Sequence, residues 1–189
     1  MDKADEWAAK WDIRLRSELG LTKDLLRPEG IERPSEMTDL TWSARKIDTL
    51  LPQFKERFWD YAYAVDSVAG AHGVDYIIWC GVRSVAKQLQ LYRQGRTTPG
   101  PIVTKTIAGG RHMFGCAIDW CLRTPKGQPN FKLPLWHKTE VLALARPHGL
   151  RSLYIEKGLD KPHVEAPSNE LPKEIKVLIT EMKKTFPGI

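Results

Sequence analysis

Trp7, Trp11, Leu15 and Leu19 recur at every fourth position between charged neighbours, a spacing that predicts an amphipathic helix stopped by Gly20. Residues 21–40 break the pattern: Pro28, Gly30 and Pro34 lie among charges, as in a loop or linker. A second helical pattern begins near Ser43. A third follows Pro52, where Phe54, Phe58, Ala62, Val65 and Ala69 form a stripe that ends at Gly73 and needs a sheet to pack on. Residues 75–81 (DYIIWCG) read as a short buried strand, followed by Arg83, a Ser84 N-cap and a helix to about Gly95 with Leu89 and Tyr92 inward. Arg83 therefore falls at a strand-to-helix junction. The Gly-, Pro- and Thr-rich stretch 96–110 reads as a long loop able to form the wall of a site, and residues 115–122 (GCAIDWCL) as a buried strand. A helix over about 134–148, extended pieces at Leu150–Ile155 and His163–Ala166, and a helix over about 170–185 complete the chain. Helices alternating with short strands and turns predict an α+β fold, a small, largely antiparallel sheet packed with helices.

Length and composition narrow this further. The 189 residues suit one domain with a spare segment, divided as residues 1–40, an N-terminal amphipathic helix and linker of unknown role, and residues 41–189, the main body. Of the net charge of +6, the first 40 residues contribute −3 and the rest +9, so an anionic partner belongs to the body. Charge alone does not choose among nucleic acid, membrane headgroups and cell wall. The three cysteines, Cys80, Cys116 and Cys121, make no paired framework and are expected as free thiols. The acidic, amphipathic start does not resemble a signal peptide, and Asp66, His72 and Asp75 interrupt the best candidate for a membrane span.

Two clusters carry candidate chemistry. His112 and Asp119 flank Gly115, where a tight turn would fold the imidazole back beside a strand carboxylate. Asp119 stands among Ala, Ile, Trp and Cys, and a carboxylate buried there needs a metal, an arginine or a hydrogen-bond network. In the second cluster, Asp160 to Glu165, His163 and Glu165 project from one side of an extended segment, while Asp160 precedes a proline-led turn, placed to serve as a base. Three His or carboxylate donors with an open position make a hydrolytic zinc site, but capping Asp and surface His account for the same residues, and the two clusters alone leave both readings open. Cys116 and Cys121 read as core packing, His72 and His148 as helix-end residues, His137 as a surface residue within a helix, Glu165 as either an orienting or a solvated residue, and Arg96 as either a peptide contact or solvated.

Taken together, Gly81-Val82-Arg83-Ser84, the QLQLYRQGRTTPG stretch from Gln88 to Gly100, Ile102-Val103-Thr104, His112-x-x-Gly115-x-Ala117-x-Asp119 and Asp160-x-Pro162-His163-x-Glu165 resemble one family. It is the L-alanyl-D-glutamate peptidase type of phage endolysin, within the zinc D-Ala-D-Ala peptidase and Hedgehog-like superfamily. The resemblance spans about residues 42–167 and implies Zn2+ held by His112, Asp119 and His163, with Asp160 as catalytic acid/base and Arg83 contacting substrate or the developing oxyanion. One position departs: Gly110 stands where the family usually has Ser.

The implied activity is endopeptidase cleavage of peptidoglycan stem peptide at the L-Ala–D-Glu bond, for host cell lysis. A D-Ala-D-Ala carboxypeptidase or dipeptidase of the same superfamily is the enzymatic rival, and a catalytically silent zinc-stabilised binding module the non-enzymatic one. Asp160 argues against the latter, because a structural zinc site needs no base. Neither nucleic acid nor stable membrane insertion is expected, and the chain is expected as a monomer. The implied setting is the host bacterial cytoplasm, with access to the wall provided by a separate membrane-permeabilising protein.

Overall fold

The computed structural model describes residues 2–20 and 39–188. The expected linker lies outside the described residues except for 39 and 40, which open the second helix. The helices are α1 (Lys3–Leu19), α2 (Asp39–Asp48), α3 (Pro52–Ala71), α4 (Val85–Arg93), α5 (Leu153–Lys157) and α6 (Lys173–Thr185). The strands are β1 (Tyr76–Cys80), β2 (Ala117–Arg123), β3 (Pro129–Asn130) and β4 (His163–Glu165). All four strands pair antiparallel, β2 taking β1, β3 and β4 as partners, which makes this the α+β architecture that the pattern predicts.

Helix α3 forms because its stripe is continuous and Pro52 occupies the first turn, where a missing N–H costs nothing. Phe54, Phe58, Ala62, Val65 and Ala69 are all buried, as is Tyr61, whose ring meets Trp120 of β2 edge-on at 5.8 Å. Each large apolar side chain so buried stabilises by roughly 1.5–3 kcal/mol before entropy is counted. Helix α1 joins the same core through Ala4, Trp7, Ala8, Trp11 and Leu15. Its boundaries follow its caps: Asp2 accepts from the Asp5 amide at 2.9 Å, and Gly20 adopts φ 64°.

Two segments depart from the pattern. In place of one α-helix over 134–148 there is a π-turn, His137–Val141, followed by a 3-10 turn, Leu142–Ala145. Partners from outside the segment reshape it: the Tyr61 hydroxyl donates to the Val141 carbonyl at 3.1 Å, and both nitrogens of His137 are engaged by distant groups. His137 is thus buried rather than on the surface. Residues 150–155 are extended only as far as Arg151, which bridges Glu165. Ser152 then caps α5 and Gly158, at φ 67°, closes it.

Candidate active site

Register builds the centre. Asp119 in β2 lies opposite His163 in β4 on one side and Cys80 in β1 on the other. Between Ile78 and Cys80 the β1 register slips by a bulge, and Trp79 at that point lines the cleft beside Phe131, whose ring it meets edge-on at 6.4 Å. His112 arrives from the 3-10 turn Arg111–Phe114, which ends at Gly115. Only glycine suits that position: φ is 63°, and a Cβ would come within 3.0 Å of the Leu51 nitrogen. The turn folds His112 back onto β2 as the spacing predicts.

The hydrogen bonds define which ring nitrogens carry protons. His112 Nδ1 faces the Gly81 carbonyl at 2.8 Å and must donate to it, which leaves Nε2 with a lone pair. His163 Nε2 faces the Glu165 carboxylate at 2.9 Å and donates there, leaving Nδ1 facing the centre. These two nitrogens and Asp119 Oδ1 form a triangle with sides of 3.1, 3.1 and 3.0 Å. Three corners of a tetrahedron around zinc, with bonds of about 2.0 Å, stand about 3.3 Å apart. The residues present therefore fit a zinc ion, since three acceptors at this distance repel unless a cation or proton lies between them.

The electrostatics agree. Burial pushes the Asp119 carboxyl up, but His112 and His163 outweigh it and hold it well below the ordinary carboxylate range. Burial pushes His163 down, yet with no metal bound its bonds to Asp119 and Glu165 hold it up at about 10, a second proton on Nδ1 then standing where a cation would displace it. The pocket thus favours positive charge at this point. Glu165 is itself buried; burial alone would raise its pKa, and the His163 bond together with Arg111 and Arg151 at 3.8 Å pulls it down. It is an orienting carboxylate behind His163, not a solvated strand residue.

Cys80, His112 and Asp119 also offer a possible donor set. Cys80 Sγ, however, meets His112 at Nδ1 (3.6 Å), the nitrogen already committed to Gly81, and lies 3.2 Å from Arg83. The His112–Asp119–His163 set needs no such bond to break. None of the three cysteines forms a disulfide and all are buried, and burial raises the thiols of Cys116 and Cys121 to about 12, which suits packing rather than ligation.

Asp160 stands at the cleft side of the triangle. Its side chain is 52% exposed, and Oδ2 lies 4.0 Å from His163 Nδ1. Among the described residues it is the single non-glycine with positive φ, 55°, and its carbonyl accepts the His163 amide at 3.2 Å, so a left-handed turn aims the carboxylate inward. Although the side chain keeps solvent contact, the surrounding cleft partly desolvates the carboxyl and, with the Asp119 charge, raises its pKa above the ordinary value. Arg83 donates to Asp119 Oδ2 at 3.2 Å and to Gln88 Oε1 at 2.9 Å, and its amide is held by the His112 carbonyl at 3.1 Å. Arg96 is not among the cleft residues. It folds over the Tyr92 ring at 4.0 Å and donates to the Tyr92 and Thr104 carbonyls. His72 stacks on Trp136 at the end of α3.

Two residues to which the sequence pattern gives no role in the site support it. His137 Nδ1 meets the Tyr76 hydroxyl at 2.7 Å and Nε2 donates to the Lys161 carbonyl at 2.9 Å, bracing the turn between Asp160 and His163. Gln88, buried in α4, braces Arg83. The centre opens into a cleft of about 890 Å³, with Lys176, Ile179 and Lys183 of α6 on its far wall.

The small antiparallel sheet with helices packed on it, which carries the His–Asp–His cluster at the β2–β4 pairing, is an α+β fold shared with a solved endopeptidase. A solved structure with this fold, the Serratia marcescens L-Ala D-Glu endopeptidase ChiX, matches 72% of this chain and 94% of its own with a TM-score of 0.50 and 20% identity. The peptidoglycan L-alanyl-D-glutamate endopeptidase CwlK of Bacillus subtilis (strain 168) is 42% identical over 67 residues, which are 35% of this chain and 40% of that protein. The match thus spans well under two thirds of that relative. No family model matches the chain.

Proposed function

We propose that the protein is a zinc-dependent endopeptidase that hydrolyses the stem peptide of peptidoglycan, cutting between L-Ala and D-Glu. The observation that carries the reading is the triangle of His112, Asp119 and His163 acceptors with Asp160 on its open, cleft-facing side. The likeness to two proteins that bear the name of this endopeptidase supports the choice of bond. The cleft supports the choice of substrate class. Its volume of about 890 Å³ has room for a short peptide, and Arg111, Lys176 and Lys183 on its wall suit the free carboxylates of such a peptide.

His112, Asp119 and His163 would hold the zinc, which when bound supplies Lewis acidity toward a peptide carbonyl and toward water. Asp160 accepts the proton of the attacking water and returns it to the leaving amine; a pKa raised above the ordinary carboxylate value makes it a stronger base than a free aspartate. Arg83 balances Asp119 and presents positive charge beside the developing oxyanion. Glu165 keeps His163 in the tautomer that presents Nδ1. The biological role we propose is lysis of the host wall by a phage, with a separate membrane-permeabilising protein providing passage from the host cytoplasm. Among the described residues no helix is long and apolar enough to cross a membrane.

The test is metal removal and return. Dialysis against a chelator is expected to abolish hydrolysis of purified peptidoglycan, and zinc to restore it. Asp160→Ala should bind zinc without turnover, whereas His163→Ala should lose both. Full activity of metal-free protein, or loss of zinc from Asp160→Ala, contradicts the assignment.

A further inference from the structure

Helix α1 contributes no residue to the cleft, yet its polar contacts fall on the two helices that line it. Asp12 accepts from the backbone amides of Val85 and Ala86 at 2.6 and 3.1 Å, the first two of α4. Ser84 takes the Lys87 amide at 3.0 Å. A helix start leaves four amides without intrahelical partners, and a local cap normally satisfies one. Here a carboxylate from another helix takes two more. At the far end of α4, Arg93 pairs with Asp5 and Asp2, each at 2.6 Å. The two helices therefore run antiparallel, and α4 is pinned at both of its ends. On its other side α1 holds α6: the indole nitrogens of Trp7 and Trp11 both donate to Thr185 Oγ1 at 3.1 Å, and Arg14 pairs with Glu181 at 2.6 Å. Helix α4 gives the cleft Gln88 and Leu91, and α6 gives it Lys176, Ile179, Thr180 and Lys183.

We propose that α1 is a strap across the backs of both cleft walls and that Asp12 is a positioning residue which, by capping α4, holds Arg83 against Asp119. Arg83 lies two residues before Val85. On its N-terminal side it is fixed by the sheet and by the His112 carbonyl; on its C-terminal side its anchor is the first turn of α4. Its guanidinium reaches along that turn to Gln88, so a tilt of the turn displaces both groups and with them the contact to Asp119 Oδ2. Plain hydrophobic docking of α1 would need only Trp7, Trp11 and Leu15 in the core. It gives no reason for a carboxylate on the two amides that follow Ser84. The proposal rests on the reading of Arg83 as a site residue given above.

The test uses the full chain and two readouts. In Asp12→Ala, amide exchange at Val85 and Ala86, followed by NMR, is expected to accelerate about fivefold or more, the factor that loss of a cap corresponds to. Its kcat on stem peptide should fall about 10- to 100-fold with KM within about twofold, as for a misplaced catalytic contact. Asp12→Asn retains one acceptor oxygen and should fall between. Trp11→Phe removes an indole N–H but keeps the ring buried; it should lower thermal stability and leave kcat unchanged below melting. Unchanged exchange and kinetics in Asp12→Ala, or a loss of kcat that merely tracks the unfolded fraction, overturns the strap's role in positioning. Should the wild type hydrolyse no stem peptide, the proposed function fails; exchange at Val85 and Ala86 and the Arg83 side-chain NMR signal still decide the strap, since both must shift in Asp12→Ala and neither depends on turnover.

Discussion

At the scale of single residues, the decisive fact is where protons sit. Two imidazoles each give one N–H away, to a carbonyl and to a carboxylate, and so turn the other nitrogen inward beside Asp119. Glu165→Gln keeps an acceptor for His163 but removes the charge, and is expected to weaken zinc affinity about 10- to 100-fold while the fold persists. Competition with a calibrated chelator measures this, and an unchanged affinity would show that Glu165 only fills space. Much of this layer is legible in the chain: Gly115 between His112 and Asp119 announces a turn, and His163 and Glu165 two apart on a strand must share a face. His137 is not legible, because its partners, Tyr76 and the Lys161 carbonyl, are 61 and 24 positions away. A histidine at a helical spacing says nothing of such contacts.

At the scale of elements, the site depends on register. Pairing of Asp119 with His163 and the bulge at Trp79 are properties of strand alignment, which periodicity locates only to a face. Short strands and the caps at Ser84 and Gly20 follow from local residue preference, so these elements fall where the pattern puts them. The π-turn at His137–Val141 and helix α5 do not, since the first answers to Tyr61 and His137 contacts and the second to a Ser152 cap inside a stretch that otherwise reads as extended. The α1–α4 contact has a consequence for pH. Burial raises the Asp12 pKa above 3.8 although the Val85 and Ala86 amides pull it down. Between the ordinary and the raised value the folded chain holds more of this proton than the unfolded chain, so this contribution to stability is full below 3.8 and is lost as pH rises through the raised value. Urea melts at successive pH values should show that loss in the wild type and its absence in Asp12→Asn; identical profiles would mean that Asp12 is solvated.

At the scale of the molecule, the charge division along the chain acquires a geometry. Acidic groups of the N-terminal part, Asp2, Asp5 and Asp12, face α4, while cations of the body, Arg111, Lys176 and Lys183, line the cleft. Among the described residues no ion pair engages Lys183, and its ammonium lies 3.7 Å from where a Cβ of Gly109 would stand, three residues before His112. Lys183→Met is accordingly expected to raise KM roughly two- to fivefold on a stem peptide with a free glutamate carboxylate, and to change nothing on its amidated counterpart. Equal effects on both peptides would remove carboxylate recognition from this wall. The proposed zinc centre would cut one particular bond. Mass spectrometry of fragments released from defined peptidoglycan by the zinc-loaded protein tests it most directly. Peptides beginning with D-Glu, with L-Ala left on the sugar, are the predicted products; release of free D-Ala alone, or no release at all, would contradict it.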